Sequence, residues 1–370
     1  MKNTYFHVFA FLLSLWSGAV WCVVEEVQKQ TNQSNAADKS YYFGFDGGSK
    51  KSGHSVAPVI GYDPTYKFVV GAAYFFDGPK LSYGVDGNLN FNGVFQAHAR
   101  AAYDFLDVWD LQWRFGAIRG FEGYYGDGGQ TRVEDLQQLW GDRLTTTLHL
   151  HRRMSDYFTL GVLVDLRSRT EEQGRNPTFN RVAPDQVIAA VGLTTQFDSR
   201  KPGASRPDDG VVLTTALSHS PTAFSSLGGA PFTQLESSLV VYKEVLADML
   251  PGVVAAFRVM GGISDGDVPF AFRYRLGGAE KMRGYWDNRF RGRKYYLQQT
   301  ELRAPIWKMI GAAASLGFGD ITDTEFTFPK MAYGVGLRIG LPPDYVSQIR
   351  IDAGFARDQT GIFAEFGQTF

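Results

Sequence analysis

Two histidines two residues apart, His149 and His151, and the run Ser218-His219-Ser220 carry side chain types from which a metal site or a hydrolase could be built. A hydrolase needs nucleophile, base and orienting group to converge, and a protein metal site needs three or more ligands. His149 and His151 alternate along one strand face with Thr145, Thr147 and Arg153, and no third ligand is indicated there. Ser218 and His219, adjacent in sequence, fall on opposite faces of a strand. This pattern assigns no catalytic residue, no metal ligand and no cofactor. Denser chemistry lies in residues 280–296, EKMRGYWDNRFRGRKYY, with eight charged side chains set among glycines and aromatics. An arginine cluster of this kind marks a nucleic-acid patch, a solvated loop, or a loop that seeks carboxylates inside its own protein. With 37 Lys and Arg against 38 Asp and Glu, the net charge of −1 leaves no basic footprint for nucleic acid.

The elements that position this segment are strands. Between Tyr157 and Ser168 the even positions are Phe158, Leu160, Val162, Val164 and Leu166, while the odd ones include Thr159, Asp165 and Arg167. Residues 331–341 and 348–357 alternate in the same way, with one apolar and one polar face. Backbone groups in lipid must all be paired, and only a closed barrel of strands removes the edges, so the pattern predicts an all-β, transmembrane antiparallel β-barrel of about sixteen strands. Tight turns near 105–108, 153–156 and 341–344 alternate with longer polar connections at 126–140, 170–185 and 262–294. The long ones are expected to face outward. Before the barrel, Met1-Lys2 and an apolar run to Leu15 read as a signal peptide over 1–22, with cleavage after Ala19 or after Cys22. Residues 23–50 read as a polar periplasmic tether and 51–370 as the barrel domain. Cys22 is the single cysteine, so no internal disulfide is available to the barrel.

Met282-Arg283-Gly284-Tyr285, preceded by Leu276-Gly277-Gly278, resembles the V-R-G-Y/F motif in the sixth extracellular loop of the BamA/TamA superfamily, the bacterial surface antigen family. Pro58 to Tyr62 with Gly71, Asp198-Ser199-Arg200, Glu301, Phe318-Gly319-Asp320 and Ile349 to Asp352 resemble further family positions in order, and the terminal Phe370 resembles the aromatic end of outer-membrane barrels. The resemblance implies an outer-membrane barrel of a Gram-negative bacterium that assembles or translocates other proteins. It implies that Arg283 enters the lumen and pairs with Asp320, that Gly284 lets the loop approach the wall, that Tyr285 packs on Phe318, and that Glu301 points inward. For Arg289, Arg291, Arg293 and Lys294 a solvated loop face or a lipopolysaccharide contact reads at least as well as such an internal role. The family's first and last strands meet at a lateral seam, here Ser55, Gly61 and Tyr62 against Gly361, Phe366 and Phe370. Residues before the barrel leave no room for POTRA domains, so the expected partners are outer-membrane lipid and lipopolysaccharide, a separate periplasmic protein and client proteins. A passive pore and, more remotely, a barrel hydrolase are the rival readings.

Overall fold

The computed structural model describes residues 53–106, 108–172, 185–201, 207–226, 231–307, 309–340 and 348–366. The expected signal peptide, nearly all of the tether and Phe370 lie outside these residues. The strands are β1 (Gly53–Asp63), β2 (Lys67–Asp77), β3 (Leu81–Asn90), β4 (Phe95–Phe105), β5 (Trp109–Tyr124), β6 (Gln137–Arg153), β7 (Phe158–Glu171), β8 (Gln186–Asp198) and β9 (Gly210–Ser220). They continue with β10 (Phe232–Glu244), β11 (Val254–Gly266), β12 (Tyr274–Leu276), β13 (Phe290–Gly292), β14 (Lys294–Trp307), β15 (Ile310–Thr322), β16 (Lys330–Gly340), β17 (Gln348–Ala356) and β18 (Thr360–Phe366). Sixteen of them close one antiparallel barrel in which each strand pairs with its neighbour in sequence, β11 passes to β14, and β18 returns to β1. β12 and β13 form a separate two-stranded ribbon inside the β11–β14 connection.

The apolar face of the strands points outward. Phe158, Leu160, Val162, Val164 and Leu166 on β7 and Met331, Tyr333, Val335 and Leu337 on β16 are all exposed, whereas Asp165, Arg338, Arg350 and Asp352 on the alternate face are buried. A water-soluble barrel would have the reverse arrangement, since exposed contiguous apolar surface costs free energy in water. Rings gather at both rims, Tyr62, Phe68 and Phe91 at one end and Tyr103, Phe105 and Trp109 at the other. This is the aromatic girdle pattern of a membrane barrel. The connections after β5, β7 and β11 all leave the same end. At that end β5 and β6 run to 16 and 17 residues, longer than the roughly 9–11 a tilted spanning strand needs, so their tips rise beyond the apolar band.

Candidate functional site

The β11–β14 connection folds back against the inner wall. Its tightest turn is Met282-Arg283-Gly284-Tyr285, closed by a Tyr285 N–H donating to the Met282 carbonyl at 3.2 Å. Gly284 takes φ +117, a conformation natural to glycine at this turn position. A Cβ there would stand 2.7 Å from the Phe355 backbone carbon, and one on the facing Gly354 would stand 2.4 Å from the Gly284 nitrogen. Two glycines thus let loop backbone lie directly on β17. Tyr285 packs edge-on against Phe290 at 5.0 Å between ring centroids, in a buried cluster with Tyr274, Leu276, Met282, Tyr295, Leu297, Ile321 and Ala332. Gly284→Ala should therefore lift the loop from the wall, through the strained φ and the backbone collision together. The expected reading is faster proteolysis within 267–293 in a barrel that still migrates as folded on an unboiled gel.

The turn carries Arg283 into a buried cluster of charges. Its guanidinium donates to Glu301 on β14 and lies 3.3 Å from Asp352 on β17. Glu301 also accepts from Arg303 at 2.7 Å and lies 3.4 Å from Arg338; Asp352 accepts from Arg338 at 2.7 Å and lies 3.1 Å from Arg350. The strand register explains the meeting, because Arg303, Ala313, Gly336 and Asp352 stand opposite one another in one row across β14 to β17. The small Ala313 and Gly336 leave a trough between larger neighbours; a Cβ on Gly336 would fall 1.9 Å from the Asp352 carboxylate. Burial opposes the charge on Arg283, but the neighbouring Glu301 and Asp352 hold its pKa above the ordinary arginine value.

Asp320 is not the partner that the motif resemblance implied. It accepts from Lys330 Nζ at 2.7 Å and from the Thr327 N–H at 2.9 Å, organising the connection after β15. The cause is strand parity. Glu301 stands opposite Ser315, so the odd positions of β15 share its inward face, while Phe318 and Asp320 share the face of exposed Leu316. For the same reason Phe318 stands beside Gln298 and Met331 rather than under Tyr285.

A second cluster was missed in the sequence. Glu122, at the raised end of β5 and fully buried, is surrounded by Arg169 at 2.8 Å, Arg143 at 3.3 Å, Arg275 at 3.4 Å and Arg291, which donates to it directly. Arg291 also covers the Phe270 ring at 3.8 Å and donates to the Phe270 carbonyl. Arg289 donates to the Thr131 hydroxyl and carbonyl, approaches Asp358 at 3.3 Å and covers Tyr125 and Phe290. Neither arginine is a solvated loop residue: both are at most 1% exposed. Arg293 does sit at the rim, holding the Asp323 carbonyl. The even-numbered face of β5, continued two positions past Gly120, is the sequence signal that would have found Glu122.

The histidines fall where strand parity puts them. His149 and His151 share the inner face of β6, with His151 3.6 Å from Asp110, whereas His219 is exposed and bonds Thr233. Among the described residues no group of three His, Cys, Asp or Glu is placed to hold a metal.

The Omp85 superfamily domain matches residues 81–370. The chain belongs to the Omp85 superfamily. No curated protein matches it in sequence. Among solved structures, BamA from Haemophilus ducreyi lacking POTRA domains 1-3 is similar with TM-score 0.60 and 11% identity, covering 85% of this chain and 70% of that one. CdiB from Acinetobacter baumannii gives TM-score 0.58 and 11% identity over 86% of this chain and 60% of that one. CdiB from Escherichia coli gives 0.60 and 13% over 84% and 62%. At these identities the likeness is one of fold, and the chain spans less than two thirds of either CdiB. This Omp85 barrel is thus an outer-membrane β-barrel, and its first and last strands meet as the fold requires. Among the described residues Tyr62 and Ala364 stand opposite each other between β1 and β18. Gly61 and Gly361 are buried beside this junction, Ser55 lies on the stretch of β1 below it, and Phe366 ends β18 as described.

Proposed function

We propose that this Omp85 barrel inserts or translocates other proteins at the outer membrane of a Gram-negative bacterium. In this reading the β1–β18 junction is the lateral exit and the β11–β14 loop is a lock held by Arg283. The observation that carries the reading is the junction of the first and last barrel strands, β1 and β18, where Tyr62 stands opposite Ala364. Pro58 on β1 fits the same role, since a strand residue without an N–H is tolerated at an edge. The loop reaches the other side of the junction as well: the Trp286 indole N–H donates to the Thr360 carbonyl at 3.1 Å and the Trp286 N–H to Gln359 at 3.2 Å. Movement of the loop and release of β18 would then be linked. Clients and a separate periplasmic protein are the partners this function needs.

Cysteines at Tyr62 and Ala364, which face each other across the junction, test it. Oxidised Tyr62→Cys/Ala364→Cys protein should fold, stay heat-modifiable and fail to support insertion or secretion of its clients in cells, with recovery on reduction. A fully crosslinked barrel that retains activity would instead favour a passive pore, whose conduction does not use the seam.

A further inference from the structure

Above the lock, the loop and the wall enclose a cavity of ≈ 340 Å³ bordered by Arg143, Arg167 and Arg169 from β6 and β7 and by Arg273, Arg275 and Lys281 from the loop. Several of these have carboxylate neighbours: Asp165 for Arg167, Asp127 and Asp323 for Arg273, Glu236 for Lys281. The remaining three, Arg143, Arg169 and Arg275, share Glu122 with Arg291, so one carboxylate faces four guanidiniums. Backbone carbonyls complete some of the hydrogen bonding, Phe121 for Arg143 and Phe270 for Arg291, but carbonyls do not neutralise charge. Guanidiniums do not shed their protons at physiological pH, so the cavity presents a strongly cationic lining.

We propose that this cavity binds a phosphate-bearing anion, held between the arginines of the wall and those of the loop. Phosphate suits the geometry better than a carboxylate. Donors come from two opposed walls, and three or more acceptor oxygens can receive both sets at once, whereas a carboxylate offers two. The volume is in the range of small-ligand sites. Because the anion would touch both wall and loop, its binding would hold the loop in place, independently of whether the barrel inserts proteins or conducts ions.

The test uses the full chain in detergent at low chloride, with inorganic pyrophosphate titrated calorimetrically and lipopolysaccharide micelles in a parallel arm. Wild-type protein should bind pyrophosphate with an affinity that falls steeply with salt, and the bound form should resist proteolysis within 267–293. Arg275→Gln and Arg167→Gln, whose side chains are about one third exposed, should leave the barrel folded and weaken binding at least tenfold. Lipopolysaccharide binding that is lost in the same two variants, with pyrophosphate silent, would assign the phosphate to a lipid headgroup. Binding of neither, or binding with unchanged affinity in both variants, would overturn the proposal.

Discussion

Glu301→Gln should destabilise the barrel wall, whereas Arg283→Ala should free the loop and leave the wall standing. The asymmetry follows from the charges present. Among the described residues, Arg283, Arg303, Arg338 and Arg350 converge on two carboxylates, Glu301 and Asp352. Removing Glu301 leaves four cations to one acid in a region at most 8% exposed. Stranding buried charge in this way costs about 3–5 kcal/mol. Removing Arg283 takes a cation from a set with cations in excess, so both acids keep partners and the loss falls on the loop alone. Arg283→Ala protein should stay heat-modifiable, become protease-sensitive between Gly262 and Lys294, and conduct more in planar bilayers. Arg283→Lys should recover part of the protection, since an ammonium cannot span both acids as a planar fork does. Asp320→Asn should disturb only the connection after β15, where it holds Thr327 and Lys330. If Asp320→Asn exposes the loop as Arg283→Ala does, or if Arg283→Ala leaves proteolysis unchanged, the contacts with Glu301 and Asp352 are not what hold the loop.

Much of this barrel was legible in the chain because lipid enforces period two so strictly. Phe158 to Leu166 and Met331 to Leu337 report their outward face at every second residue, and the turn positions follow once strands are marked. The partner of Arg283 was not legible from motif order, although half of the answer was local: Asp320 shares its parity with Leu316, which faces lipid. The other half requires the register of four strands, since Asp352 meets Arg303 only through Ala313 and Gly336. Register between neighbouring strands depends on where each turn closes, and a shift of one residue reverses every side chain. The upper cluster was hidden for another reason. Arg289 and Arg291 meet Thr131 and Glu122 across 158 and 169 residues of chain. Local composition around them reads as a charged loop, and only the convergence of two raised connections makes it an interior.

That convergence makes Glu122 the residue on which the outer end of the barrel depends, and Glu122→Gln is expected to open it. Arg143, Arg169, Arg275 and Arg291 all direct guanidiniums at this one carboxylate, which is fully buried. A neutral amide would strand Arg143, Arg169 and Arg291 in low-dielectric surroundings, while Arg275 keeps access to water, at about 3–5 kcal/mol. The expected outcome is joint protease sensitivity of 125–136 and 267–293 with the strands below still folded. Arg291→Met should behave oppositely. It removes one surplus cation, retains an unbranched side chain over Phe270, and exchanges buried charge for apolar packing, a change that is often neutral or stabilising. Combining the two substitutions should then cost less than their sum, because the methionine removes one of the charges that the glutamine strands. Were these arginines the solvated residues that their composition suggests, every one of these variants would stay within about 0.5 kcal/mol of wild type. Urea titration in detergent, followed by the loss of loop protection, separates the outcomes: strict additivity of Glu122→Gln and Arg291→Met, or a Glu122→Gln protein as protected as wild type, would show that the cap is not held by this shared carboxylate.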